Sequence, residues 1–336
     1  MLLFRPSRFS DLPAVERIAA LSPIGVTSLP ANRDTLYRKI QASVDSLGAD
    51  VSFHGEESYF FVLEDTSKGE IVGVSGIVAS AGFNEPFYSY RNETIIHASP
   101  GLGIHNKIHA LSLCHDLTGN TLLASFFILK PYQFTQYSDL LSRARFLFIA
   151  NFPERFAESV VSEMVGVSDA NGHSPFWDSV GRRFFGMDYQ EAELYCGVKG
   201  RKFISELMPQ HPIYVPLLSD AAQAAIGQVS PDSAVPFDVL LREGFETENY
   251  VDIFDGGPTV HARTQNIHSI LQSRLVSAHR GHQRPGTPHL IANCRCEFRA
   301  TVAELTLPRG DDITLDPKLA DALEIADGDH VRIVPL

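Results

Sequence analysis

The chain has 336 residues, 44% of them hydrophobic and 20% charged, with a formal net charge of −12. That length predicts two or three domains around a real core, and no apolar run approaches the roughly 20 residues that a membrane helix needs. So acidic a chain is a poor partner for nucleic acid or anionic membrane, and residues 1–13 (MLLFRPSRFSDLP) hold too short an apolar stretch for a signal peptide; a cytoplasmic protein is expected.

In chain order, residues 2–5 are an apolar run that predicts a strand. Ser10 and Asp11 give an N-cap signal, Pro13 suits a first turn, and Val15, Ile18 and Ala19 continue at helical spacing. Two apolar runs, 59–64 and 71–77, flank the polar loop DTSKG and predict a β-hairpin. A further strand is expected over 93–97. Residues 122–128 (LLASFFI) are unbroken apolar sequence, the pattern of a strand buried on both faces. A helix follows over 140–152, with Leu141, Ala144, Leu147 and Phe148 on one face.

Similar elements recur from Ser159 onward. A strand is predicted over 160–166, a helix over 175–185 opened by Ser174 and Pro175, a helix over 234–243 ended by Gly244, and a strand over 250–254. The stretch 279–288 (HRGHQRPGTP) reads as a linker. Beyond it a helix, a glycine turn and a strand over 319–334 look like the end of a double-psi-type barrel, or a structural appendix without chemistry. The domains expected are therefore 1–158, 159–278 and 289–336. The four cysteines, Cys114, Cys196, Cys294 and Cys296, lack the recurrent four-ligand spacing of a zinc site; free thiols and no metal are expected.

Several stretches carry a resemblance: SPIGVTSLP (22–30), ESYFFVLED (57–65), FYSYRNET (87–94), CHDLTGN (114–120), SPFWD (174–178), ELMP (206–209) and YVDIFDGGP (250–258). In this order and spacing, from about residue 2 to residue 275, the chain resembles the arginine N-succinyltransferase family, most closely its alpha-type subunit. The resemblance implies an α+β fold of two GCN5-related acyl-CoA N-acyltransferase-like halves, to which the tail would add a small C-terminal β-barrel-like domain. It implies succinyl transfer from succinyl-CoA, a co-substrate and not a bound cofactor, to the α-amino group of arginine and also ornithine. It further implies a homologous beta chain as partner in a hetero-oligomer.

An amine attacking a thioester must be neutral, the oxyanion must be stabilised, and the leaving thiolate must be protonated. The resemblance implies that the strand over 122–128 offers backbone N–H groups to the thioester carbonyl and that Phe126 holds the succinyl-CoA contact position; a plain core role for Phe126 stays open. Single-chain relatives follow this strand with a glycine-rich, phosphate-binding loop, whereas residues 129–140 here contain no glycine, and Pro131 lacks a donor. The family's proton-transfer histidine stands in a Gly-Gln-Val-His-Pro motif. Residues 227–231 here read GQVSP, and the Ser230 hydroxyl does not exchange protons near neutrality as imidazole does. His211, His261 and His115 are the candidates to act instead, each with a structural role as the alternative. Guanidinium recognition calls for carboxylates; Asp116, Glu163, Asp252 and Asp255 lie in family-like motifs, with a turn at Asp116 and a loop cap at Asp255 as the alternatives. Three functions remain open: the transferase, a weakly active or non-catalytic partner subunit of the same fold, and an acyltransferase for another amine.

Overall fold

The computed structural model describes residues 1–169, 171–200, 202–282, 286–306 and 310–336. Among them are strands β1 (Leu2–Pro6), β2 (Ser58–Asp65), β3 (Glu70–Val78), β4 (Ser89–Ser99), β5 (Ile104–Cys114), β6 (Thr121–Ile128), β7 (Ser159–Glu163), β8 (Ile213–Tyr214), β9 (Glu246–Val251), β10 (Pro258–Arg263), β11 (Arg274–Arg280), β12 (Thr287–Asn293), β13 (Ala300–Leu305), β14 (Asp312–Leu315) and β15 (His330–Pro335). The helices are α1 (Leu12–Leu21), α2 (Arg33–Gly48), α3 (Gln136–Asn151), α4 (Pro175–Ser179), α5 (Gly181–Phe185), α6 (Tyr189–Lys199), α7 (Lys202–Leu207), α8 (Asp220–Ala225), α9 (Ala234–Arg242), α10 (His268–Gln272) and α11 (Pro317–Ala322).

All these strands hydrogen-bond into one mixed sheet, in the order β14-β11-β15-β12-β13-β1-β2-β3-β6-β7-β10-β9-β4-β5-β8. Its pairings are antiparallel except β6–β7 and β11–β14. The α+β class holds, but the strands do not sort into the expected halves. β4 and β5 pair with β9 and β8, so the line between residues 158 and 159 runs through a continuous sheet. The expected linker at 279–288 also differs: His279 and Arg280 end β11, and Thr287 and Pro288 begin β12; positions 283–285 lie outside the described residues. The period-2 burial of Val276 and Ala278 belongs to β11, which carries the chain into the first residues of that stretch. The tail strands run on from β1 through β13 in open order, and β14 and β13 at the ends of that run are not paired with each other among the described residues.

The two sides of β2 explain the layering. Tyr59, Phe61 and Leu63 face the core that contains α3, while Phe60 and Val62 face α1 and α2. Strand alternation puts these sets on opposite faces, so the apolar run SYFFVLED is buried on both. α3 buries Ser138 and every residue from 140 to 149, not the single face predicted. It packs against β3 and β6, against α9 and α10, and against β12 and β13 of the tail, so no side is left to solvent. The helix expected over 175–185 breaks at Val180, whose φ/ψ of −114°/−83° is non-helical.

Candidate active site

β6 and β7 run parallel but share only two register pairs, Thr121↔Val160 and Leu122↔Val161. Beyond Leu122 the sheet opens as a wedge. This departs from the expectation of a strand buried on both faces: Leu122, Ala124, Phe126 and Phe127 are only half-buried. On the other edge of β6 the register with β3 shifts between Val74 and Gly76, and there Ser125 takes φ +56°. An extra residue thus bulges from β6 at the wedge. A left-handed serine is strained, and Ser28 holds it: the Ser125 N–H donates to Ser28 Oγ at 2.8 Å and Ser125 Oγ donates to the Ser28 carbonyl at 3.0 Å. Across the opening, Ser162 Oγ donates to the Leu123 carbonyl at 3.3 Å.

The wedge holds a cavity of about 100 Å³, walled by residues 25–28, 122–126 and 162–165, with Arg145, Asp252 and Asp255. Pockets for drug-sized molecules run to several hundred Å³; this one accommodates a reacting group and not a whole coenzyme. Glu163 closes β7 on its wall. Asp252 Oδ1 accepts from the Phe254 and Asp255 N–H groups at 2.7 and 3.1 Å. Asp255 Oδ2 accepts from the Gly166 N–H at 2.7 Å and the Tyr189 hydroxyl at 2.9 Å, and its Oδ1 from the Gly257 N–H at 2.8 Å. A Cβ on Gly257 would stand 2.1 Å from the Met164 carbonyl oxygen, so only glycine lets this loop close on β7. Burial, and then the charge of Asp252, push the Asp255 carboxyl up to about 7.

Opposite lies Arg145, 2% exposed, on α3. Its Nε and Nη2 donate only to Ser142 of the same helix, at 3.0 and 2.9 Å. Its guanidinium carbon is 5.7 Å from the centroid of the Phe126 ring, and burial pushes its pKa down.

Of the residues predicted from sequence, the fold brings Phe126, Glu163, Asp252 and Asp255 to one cavity. Ser230 sits just behind it, 7% exposed; its N–H donates to the carbonyl of Val165 at 2.8 Å, and its Oγ accepts from the Asp232 N–H at 3.4 Å. Asp116 is elsewhere, after β5, accepting from Arg91 Nη1 at 2.7 Å and the Tyr250 hydroxyl at 3.1 Å. His211 is exposed beside β8 at the far edge of the sheet, and His261 on β10 has Nδ1 3.2 Å from the Glu246 carbonyl oxygen; neither lines the cavity. In the glycine-free segment before α3, the left-handed backbone is taken by Phe134, with φ +56° and 82% exposure. Thr135 Oγ1 caps the helix, accepting from the Tyr137 N–H.

A family model described as arginine N-succinyltransferase beta subunit matches residues 2–269. The chain belongs to the arginine N-succinyltransferase family. A second model, described as the C-terminal domain of that beta subunit, matches residues 273–335. Among relatives in this family, the arginine N-succinyltransferase subunit alpha of Pseudomonas aeruginosa is 56% identical over 336 residues, 99% of each chain. The arginine N-succinyltransferase of Salmonella paratyphi B is 41% identical over 339 residues, covering 100% of this chain and 98% of its own. The solved structure of arginine/ornithine succinyltransferase subunit AI from Pseudomonas aeruginosa superposes with a TM-score of 0.92 at 55% identity, over 100% of this chain and 98% of that one.

Sequence reasoning missed three cavity residues: Ser28, Ser125 and Arg145. The signal for Arg145 was present as an arginine inside the run Leu140–Ile149, where every neighbour is buried. The pairing of Ser28 with Ser125 spans 97 positions and left no local trace.

Proposed function

We propose that this chain transfers a succinyl group from succinyl-CoA to the α-amino group of arginine, and of ornithine, in arginine catabolism. The observation that carries the reading is the wedge between β6 and β7 with the Ser125 bulge at its mouth. Beyond Leu122 the wedge leaves the β7-facing edge of β6 without a strand partner, where backbone N–H groups can polarise a thioester carbonyl. Phe126 lines the acyl end, and the carboxylates of Glu163, Asp252 and Asp255 form an anionic wall suited to a cationic amino acid. The amine must lose a proton as it attacks; a carboxylate raised to about 7, that of Asp255, suits that task. Ser230 stands at the position of the family's histidine, one hydrogen bond from the cavity wall.

In domain terms, the order β1-β2-β3-β6-β7-β10-β9 supports a single acyltransferase-like core built from both expected halves, with β4, β5 and α4–α8 added to it. The tail from Arg274 would be a β unit that continues the same sheet and shares its core. A homologous beta chain as partner in a hetero-oligomer is supported by the alpha-subunit name of the Pseudomonas relative. No helix among the described residues is long and apolar enough to cross a membrane. The transferase names of the full-length relatives support an enzyme over a non-catalytic subunit.

The test is thiol release from succinyl-CoA with arginine or ornithine, using this chain alone and with its beta partner. Release that needs both substrates and this chain is expected. Release that is the same with and without this chain would refute the reading.

A further inference from the structure

Arg145 lines the cavity as a buried cation that no carboxylate among the described residues pairs. An arginine cannot shed its proton to suit an apolar site, so its burial needs a counter-charge or carries a stability penalty. The neighbouring α3 arginine has one: Arg143 Nε lies 2.7 Å from Glu243 Oε1, both side chains buried. Arg145 pairs with no carboxylate among the described residues; its partners there are the Ser142 hydroxyl, the Ser142 carbonyl and the face of Phe126. Its Nη1 donates to nothing described, and its side chain lines the wedge cavity. Of the carboxylates on that cavity, Asp252 and Asp255 hold backbone N–H groups. The cavity is therefore bipolar, with a cation on its α3 side and carboxylates on its β7 and 252–257 loop side.

On the strength of the transferase reading above, we propose that the Arg145 guanidinium receives a substrate carboxylate inside the wedge. Two substrate carboxylates share this chemistry: the distal one of the succinyl group and the α-carboxylate of the amino acid. A guanidinium takes either in a two-pronged hydrogen-bonded pair. Arg145 stacks on Phe126, the residue at the acyl end, while the amino acid's own cation suits the opposite wall; the acyl carboxylate is the better fit. Arg145 would then make the enzyme select a dicarboxylic acyl group over a plain one of equal length.

The experiment measures binding by titration calorimetry on the full chain, so no turnover is required. One arm compares succinyl-CoA with butyryl-CoA, which has a methyl group in place of the carboxylate. The other compares arginine with argininamide. Wild type should favour the carboxylate-bearing ligand in one arm, and Arg145→Met should reduce that preference by about 10- to 100-fold, the worth of a charged hydrogen-bonded contact. Arg145→Lys should restore part of it. Loss of preference in the acyl arm assigns Arg145 to the succinyl group, and loss in the acceptor arm assigns it to the amino acid. If both variants keep both preferences, or if all ligands weaken equally, the proposal is overturned while the transferase reading stands. If wild type binds none of the four ligands, alone or with its beta partner, both fall together. Removing an unpaired buried cation should not lower the melting temperature, so a collapse of Arg145→Met on heating would also count against the assignment; Arg145→Lys then still reads the preference.

Discussion

Asp255 is a carboxyl held where its charge is costly. Burial and Asp252 raise it to about 7 in the folded chain, against an ordinary unfolded value near 4. Between those values the folded state binds more protons than the unfolded state, so stability falls as pH rises and levels off above about 7. Thermal denaturation from pH 5 to 8 should show a declining melting temperature, and Asp255→Asn should flatten the decline. Ser230 yields a second expectation. Its buried hydroxyl caps the short turn at residues 231–233, and its amide is fastened to Val165 beside the cavity. Ser230→His should raise the rate of thiol release by at least about tenfold, a modest part of what a positioned acid or base contributes. It should also lower stability by about 1 kcal/mol through loss of the cap. The residue types of the site were legible where motif words carried them, as with Asp252 and Asp255. Which of them hold backbone was not, because that depends on Gly166 and Tyr189 folding back onto Asp255 from 89 and 66 positions away.

At the scale of elements, the wedge is the unit that matters, and Ser28 is its fastener. Ser28→Ala would leave the Ser125 N–H without its acceptor and loosen the bulge, which keeps only the Ser125 hydroxyl bond to the carbonyl of residue 28. The expected cost is about 1–3 kcal/mol, seen as a lower denaturation midpoint together with a larger loss of succinyl transfer than of stability. Strand β6 was plain in sequence as LLASFFI, as were β1, α1 and the β2–β3 hairpin, because each has a clear apolar period or turn signal. β5 was missed: residues 104–109 are mostly exposed and carry no apolar alternation, since before Ala110 the strand pairs only with β4. The single helix read over 175–185 ignored its middle. A Cβ on Gly181 would lie 2.2 Å from the Trp177 ring, a contact that sequence does not announce.

At the scale of the molecule, α3 joins the tail to the acyltransferase-like sheet. Arg143 reaches Glu243 at the end of α9, Ser269 Oγ at 3.0 Å and the Pro335 carbonyl at 2.8 Å. Phe298 of the tail packs edge-on against Phe4, Phe61 and Phe148. Arg143→Met would strand the buried Glu243 charge and should cost about 3–5 kcal/mol. Because one apolar cluster includes Leu290, Phe298 and Val334 with α3, calorimetry should show the tail melting with the rest in one transition, for wild type and variant alike. The sequence predicted a linker here because Gly, Pro and Arg crowd 279–288; the staples come from residues far apart in the chain and have no local signature.

A sheet this wide also has to end without recruiting neighbours. One margin is β14, four residues long, and the other is β8, with two. Such short borders offer few free backbone groups to an incoming chain. The longer bare stretch, the outer rim of β5 beyond β8, carries His105, Lys107 and His109. A lysine there disfavours the stacking of like molecules, so the fold resists fibre formation by how it stops as much as by how it packs.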